Sequence, residues 1–97
     1  MKKKAALLFE DRMEYPDVAI VEMKVWLLPE RDTERPHGLK YRLFYGSDGE
    51  RIVCYDNERG NGNHRHYRGS EETYLFTTAE RLMADFIADV KRERSKK

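Results

Sequence analysis

The residues with chemical potential crowd into one stretch, Tyr55 to Gly69, where His64, Arg65 and His66 are flanked by Arg59, Tyr67 and Arg68. Imidazole titrates near neutrality, so one histidine can accept a proton while another donates one in the same reaction. Metal-free RNA cleavage needs such a pair. A base takes the 2′-hydroxyl proton, an acid protonates the leaving 5′-oxygen, and a cation offsets the charge that builds on phosphorus. On this pattern His64 and His66 form the acid–base pair, Arg65 stabilises charge, and Tyr67 stacks on a base or donates a hydrogen bond. Arg59, Arg68, Asn61 and Asn63 are the residues offered to the nucleic acid. If the segment is extended, both imidazoles lie on one side and Arg65 on the other; a turn would change this.

Other readings of the same residues stay open. His-x-His in a glycine-rich segment also suits a solvated hairpin loop, or a non-catalytic basic surface that docks on RNA or protein. A metal-dependent phosphodiesterase would draw ligands from His64 and His66 with His37, Asp56 or Glu58. Three histidines in the whole chain, one beside Pro36, leave little margin for that coordination shell, so no metal and no cofactor are expected. Cys54 is the only cysteine, which rules out an intrachain disulfide; between Val53 and Tyr55 it reads as a small core residue.

The segment needs a scaffold, and the remaining chain reads as one. Ala5 to Phe9 is a short apolar strand, and Tyr15-Pro16-Asp17 a turn. From Val18 to Leu28 the pattern alternates, with Ala19, Val21, Met23, Val25 and Leu27 on the core face and Ile20, Glu22, Lys24 and Trp26 on the other. A charged loop over 29–38 leads to a half-buried strand with Leu39, Tyr41, Leu43 and Tyr45 on one face and Lys40, Arg42 and Phe44 on its basic reverse. Asp48-Gly49 turns the chain into Arg51–Tyr55, from whose end the histidine stretch hangs. Glu71 to Phe76 adds an edge strand. Thr77-Thr78-Ala79-Glu80 matches a capping box, with Thr77 as cap. Ala79, Leu82, Met83, Phe86, Ile87 and Val90 then make one apolar helical stripe, with Arg81, Asp85 and Asp89 outside it.

The expected fold class is therefore α+β: about four mainly antiparallel strands in one layer, with a C-terminal helix packed on one face. A single domain spans 1–97, divided into a sheet over 5–57, a Gly/His/Arg loop over 56–70, a helix over 78–93 and a basic tail over 94–97. Charged residues make up 38% and hydrophobic residues 39%, in periodic blocks, so the chain is a folded, heavily charged small protein. Net charge is +1, and any attraction to nucleic acid must come from local patches. The tail from Lys91 reads as a solubilising helix end. No apolar run spans a membrane and Lys2-Lys3-Lys4 precedes too short a segment for a secretory signal, so a cytoplasmic location is expected.

Val25-Trp26, the Gly38-Leu39-Lys40-Tyr41-Arg42-Leu43 strand, Tyr55-Asp56-Asn57-Glu58-Arg59-Gly60, His64-Arg65-His66-Tyr67 and Leu82-x-x-Asp85-Phe86 together resemble the TumE family of toxin–antitoxin toxins. The likeness runs over nearly the whole chain and is most specific at the Asp-Asn-x-x-Gly-x-Gly-x-His-x-His run. It implies a small prokaryotic toxin acting on RNA or translation, encoded beside a DNA-binding, helix-turn-helix antitoxin as its partner. Where the family pattern has Gly-Lys-Gly-Asp-His, this chain has Gly60-Asn61-Gly62-Asn63-His64, which removes one phosphate contact and one partner for an imidazole. Read as an edge strand, the segment carrying Trp26 also invites pairing with a second copy as a homodimer.

Overall fold

The structure, a computed structural model, describes residues 4–33, 35–58, 60 and 62–96. Strands β1 (Ala6–Glu14), β2 (Ile20–Leu27), β3 (Leu39–Ser47), β4 (Glu50–Asp56), β5 (His64–Tyr67) and β6 (Ser70–Thr73) precede one helix, α1 (Ala79–Ser95). The strands form a single antiparallel meander in chain order. The α+β class holds, but the sheet has six strands rather than about four. The strand order also corrects the expected edge at Trp26, because β2 lies between β1 and β3.

One of the additional strands, β5, comes from the stretch expected to be a loop over 56–70. His64–Tyr67 pairs with Val53–Asp56 and, through a two-residue turn, with Ser70–Thr73. Its glycines suggested a loop, yet they are confined to connections: Gly60 and Gly62 have φ of 90° and 70°, and Gly69 sits in the β5–β6 turn at 83°. That turn repeats the geometry of Asp48-Gly49. Arg68 has φ 46° before Gly69, as Asp48 has φ 53° before Gly49 at 75°. Two successive left-handed residues match the twist of a two-residue hairpin.

On one face the sheet buries Val21, Val25, Tyr41, Leu43, Tyr45, Val53 and Tyr55 against Leu82, Phe86 and Val90 of α1. Phe86 is 0% exposed, so truncating it to alanine costs about 3–5 kcal/mol. The helix lies over β3 and β4, which leaves the β1–β2 hairpin projecting beyond it. Leu27, expected in the core, is therefore 47% exposed, and every residue of β1 is exposed.

Helix α1 begins one residue later than the capping box suggested. Thr78, not Thr77, is the cap: its backbone is extended and its Oγ1 accepts the Arg81 N–H at 3.1 Å. Glu80 in the first turn and Arg92 and Arg94 in the last suit the helix dipole. The basic end is not merely solubilising. The Arg94 guanidinium lies 3.6 Å from the Tyr15 ring centroid and reaches Asp17 at 3.2 Å and the Tyr45 hydroxyl at 3.0 Å, tying the helix to the β1–β2 turn.

Candidate active site

Because β5 is extended, its side chains alternate. Arg65 and Tyr67 are in register with Tyr55 and Val53, residues that face the helix, whereas His64 and His66 stand opposite Asp56 and Cys54 on the open face. Two rows cross that open face by register: Glu22, Phe44, Cys54, His66 and Glu71, then Lys24, Arg42, Asp56, His64 and Thr73.

Glu71 joins the imidazoles. Its Oε1 lies 2.9 Å from His64 Nδ1 and 3.5 Å from His66 Nε2. The Arg51 guanidinium stands 3.3 Å from His66 Nδ1. Since guanidinium only donates, neutral His66 carries its proton on Nε2, towards Glu71, while the His64 Nδ1–H donates to the same carboxylate and leaves Nε2 free to accept. Both rings are half-buried.

Arg65 does not join them. Its Nε donates to Asp89 at 2.7 Å and to the Tyr55 hydroxyl at 3.0 Å, and its Nη1 pairs with Glu72. Tyr67 likewise faces the helix and donates to Glu93 at 2.9 Å. The grouping of Arg65 and Tyr67 with the imidazoles is thus corrected by strand alternation. The cation beside an imidazole is Arg51, which the sequence reading had only as a strand residue.

The remaining candidates have structural partners. Arg68 Nε donates to Glu93 at 2.6 Å, and Asn63 Oδ1 accepts from the Tyr41 hydroxyl at 2.7 Å. Arg59 and Asn61 lie outside the described residues. Asn57, part of the family run but given no role of its own from the sequence, is fully buried: its Oδ1 accepts the Tyr41 N–H at 2.9 Å and its Nδ2 donates to the Leu39 carbonyl at 2.8 Å. It fastens the end of β4 to the start of β3 before the chain turns towards β5.

Beneath the imidazole strand lies a second missed feature. Asp85, Asp89 and Glu93, spaced four apart, accept from the hydroxyls of Tyr74 at 2.6 Å, Tyr55 at 2.6 Å and Tyr67 at 2.9 Å. Asp89 was expected outside the buried stripe, yet it is 3% exposed. The four-residue spacing was a readable signal of one helical face; the tyrosines that make its burial tolerable were not visible as its partners. Burial and the neighbouring carboxylates push the Tyr55 and Tyr74 hydroxyls well above their usual range, so they stay protonated donors.

His37 is not an exposed loop residue. Its ring stacks on Phe76 with centroids 3.9 Å apart, Nδ1 accepts the Leu39 N–H at 3.1 Å, and Nε2 is buried without a hydrogen-bond partner. Among the described residues no three His, Cys, Asp or Glu side chains are arranged to hold a metal ion. Cys54 is 2% exposed, and burial pushes its thiol up, which leaves it a poor nucleophile.

The fold and this face define a class: an α+β protein whose antiparallel sheet is backed by one helix and carries a carboxylate-bridged imidazole pair on its open side. A family model described as "Toxin TumE" matches residues 3–94, and the chain belongs to that family. It is thereby the toxin component of a toxin–antitoxin system, with a cognate antitoxin as partner. Neither the curated proteins nor the solved structures contain a match to the chain. Among the described residues no helix is long and apolar enough to cross a membrane.

Proposed function

We propose that this toxin is a metal-free ribonuclease acting through His64 and His66. The observation that supports the reading is the open-face arrangement of two imidazoles bridged by Glu71, with the Arg51 guanidinium against one of them. His64, oriented by Glu71 at Nδ1, takes the 2′-hydroxyl proton at Nε2. The 2′-oxygen attacks phosphorus to close a 2′,3′-cyclic phosphate, the bond from phosphorus to the 5′-oxygen breaks, and protonated His66 delivers a proton to that oxygen. Arg51 offsets the charge on the non-bridging oxygens. A phosphate that draws Arg51 away also releases Nδ1 of His66 to carry that proton. In this reading Arg65 and Tyr67 act by holding β5 against α1 rather than by touching RNA.

Cellular RNA is the proposed substrate class, in the cytoplasm, and a helix-turn-helix protein the proposed antitoxin; a homodimer is proposed through the free edge of β1. Purified protein is incubated with single-stranded RNA, with and without chelator. Cleavage that persists in chelator and falls about 10²- to 10⁴-fold in His64→Ala supports the reading. Undiminished cleavage by the His64→Ala, His66→Ala double variant overturns it, as does binding of RNA with no product at any enzyme concentration.

A further inference from the structure

On the same open face, two arginines differ from their fellows. The described arginines of β1, β5, the β5–β6 turn and α1 each lie within 4.0 Å of a carboxylate. Arg42 and Arg51, among the described residues, have no such ion pair. Arg31, Lys4 and Lys91 are likewise without one among the described residues, but Arg42 and Arg51 are the two that flank the imidazole face. They lie on either side of the row that carries Phe44, Cys54 and His66.

Phe44 lies beneath one of them, with the Arg42 guanidinium carbon 5.3 Å from its ring centroid. Phe44 also lines an open pocket of about 370 Å³ with Ile20, Val18 and Gly46, closed at one end by the β3–β4 turn. Gly46 is what lets the ring settle there: a Cβ at that position would come 2.7 Å from Phe44 Cζ. Gly46 is in turn the register partner of Arg51, whose guanidinium reaches His66. Phe44 and His66 are separated by two strand spacings, about 10 Å. One row further along β3, Lys40 sits 5.2 Å from the Trp26 ring centroid and repeats the pairing of cation and aromatic ring.

We infer that this part of the open sheet face is a subsite for single-stranded RNA, in which Phe44 and its pocket take an unstacked nucleobase while Arg42 and Arg51 hold the phosphate beside it. The inference rests on the ribonuclease reading for its direction and for the role of Arg51, but assigns to Phe44 and Arg42 contacts that cleavage itself does not require. An aromatic ring accepts any base face, so the subsite tolerates sequence; it discriminates single strands from duplexes, whose bases are not free to stack on protein. Paired bases cannot enter a pocket beside the sheet surface. Arg42 contributes mostly charge, and its effect fades with salt.

The test uses a 2′-O-methyl oligoribonucleotide, which lacks the attacking hydroxyl, so binding is read with no turnover. Wild-type protein binds it, measured by fluorescence anisotropy, and backbone amide shifts of Ile20, Phe44 and Gly46 move on titration. Phe44→Ala weakens binding roughly ten-fold, by the usual worth of one base stacked on an aromatic side chain. Phe44→Leu keeps apolar volume without a ring and serves where the alanine variant folds poorly; it weakens binding too. Arg42→Gln lowers affinity and reduces the salt slope by about one. Binding unchanged in Phe44→Leu, or amide shifts confined to the helix side, overturns the subsite. No shift with RNA, but shifts at the same amides with the antitoxin, makes the face a protein-docking surface and overturns it equally. Binding with these effects but no cleavage of ordinary RNA keeps the subsite and removes the ribonuclease reading; cleavage with a KM indifferent to Phe44 does the reverse.

Discussion

The hydroxyl of Tyr55 donates to Asp89 at 2.6 Å in the layer between sheet and helix, and Arg65 donates to the same carboxylate oxygen from β5. This one carboxylate couples β4, β5 and α1, so the strand that bears the imidazoles is held in place from behind. Replacing Tyr55 with Phe removes one donor and leaves the arginine, which should cost about 1 kcal/mol. Asp89→Ala leaves Arg65 without its buried partner and should cost about 3–5 kcal/mol. Urea unfolding of both variants checks the order; equal costs would mean that Arg65 is not held by Asp89 in solution.

Arg51 and Arg65 separate catalysis from scaffolding. Arg51→Ala should lower RNA cleavage about 10²-fold or more, comparable to losing one stabiliser of transition-state charge, while leaving the unfolding midpoint nearly unchanged. Arg65→Ala should behave in the opposite way in unfolding, since its guanidinium is bonded to Asp89, Tyr55 and Glu72 rather than exposed to substrate. Any cleavage lost there should track loss of folded protein. Activity and stability measured on the same preparations decide the matter.

His37 gives the fold a pH dependence near neutrality. Burial, the largest cause, holds its folded-state pKa below the usual 6.5, and Asn63 opposes the shift only in part. The unfolded chain therefore binds this proton first as pH falls. Stability contributed by neutral His37 is full above about pH 6.5 and declines as pH drops from there to the folded-state value. His37→Phe, which keeps the stacking surface facing Phe76, should flatten that part of the urea-midpoint profile; an unchanged slope would place the titration elsewhere.

Val18 has φ 62°, a left-handed conformation that a β-branched residue adopts only under strain, and its side chain is 57% exposed. Val18→Gly should relieve roughly 1 kcal/mol of that strain, and raise Tm by about 4–8 °C. Calorimetry at a fixed scan rate reads this directly. A fall in Tm would mean that packing of the valine against the pocket wall outweighs its backbone cost.

Much of the architecture was legible because it depends on local rules. Alternation in β2 and β3, the Asp48-Gly49 turn and the apolar stripe of α1 each follow from neighbours within a few residues, and the structure has all three. The strand around His64 was not legible as a strand, because its four residues are polar and lie between glycines. What makes them a strand is a partner on each side, β4 and β6, and the Arg68-Gly69 turn that returns the chain.

The sequence by itself determined which chemistry was available: two imidazoles two residues apart, and an extended backbone would put them on the same side. Only the tertiary structure decided which charges accompany them. Strand alternation turned Arg65 towards Asp89, and antiparallel register brought Arg51 and Glu71 to the imidazole face from 15 and 5 residues away from His66. Register is a long-range property, set by which side chains can be buried together against α1, and no window of residues around the histidines contains it.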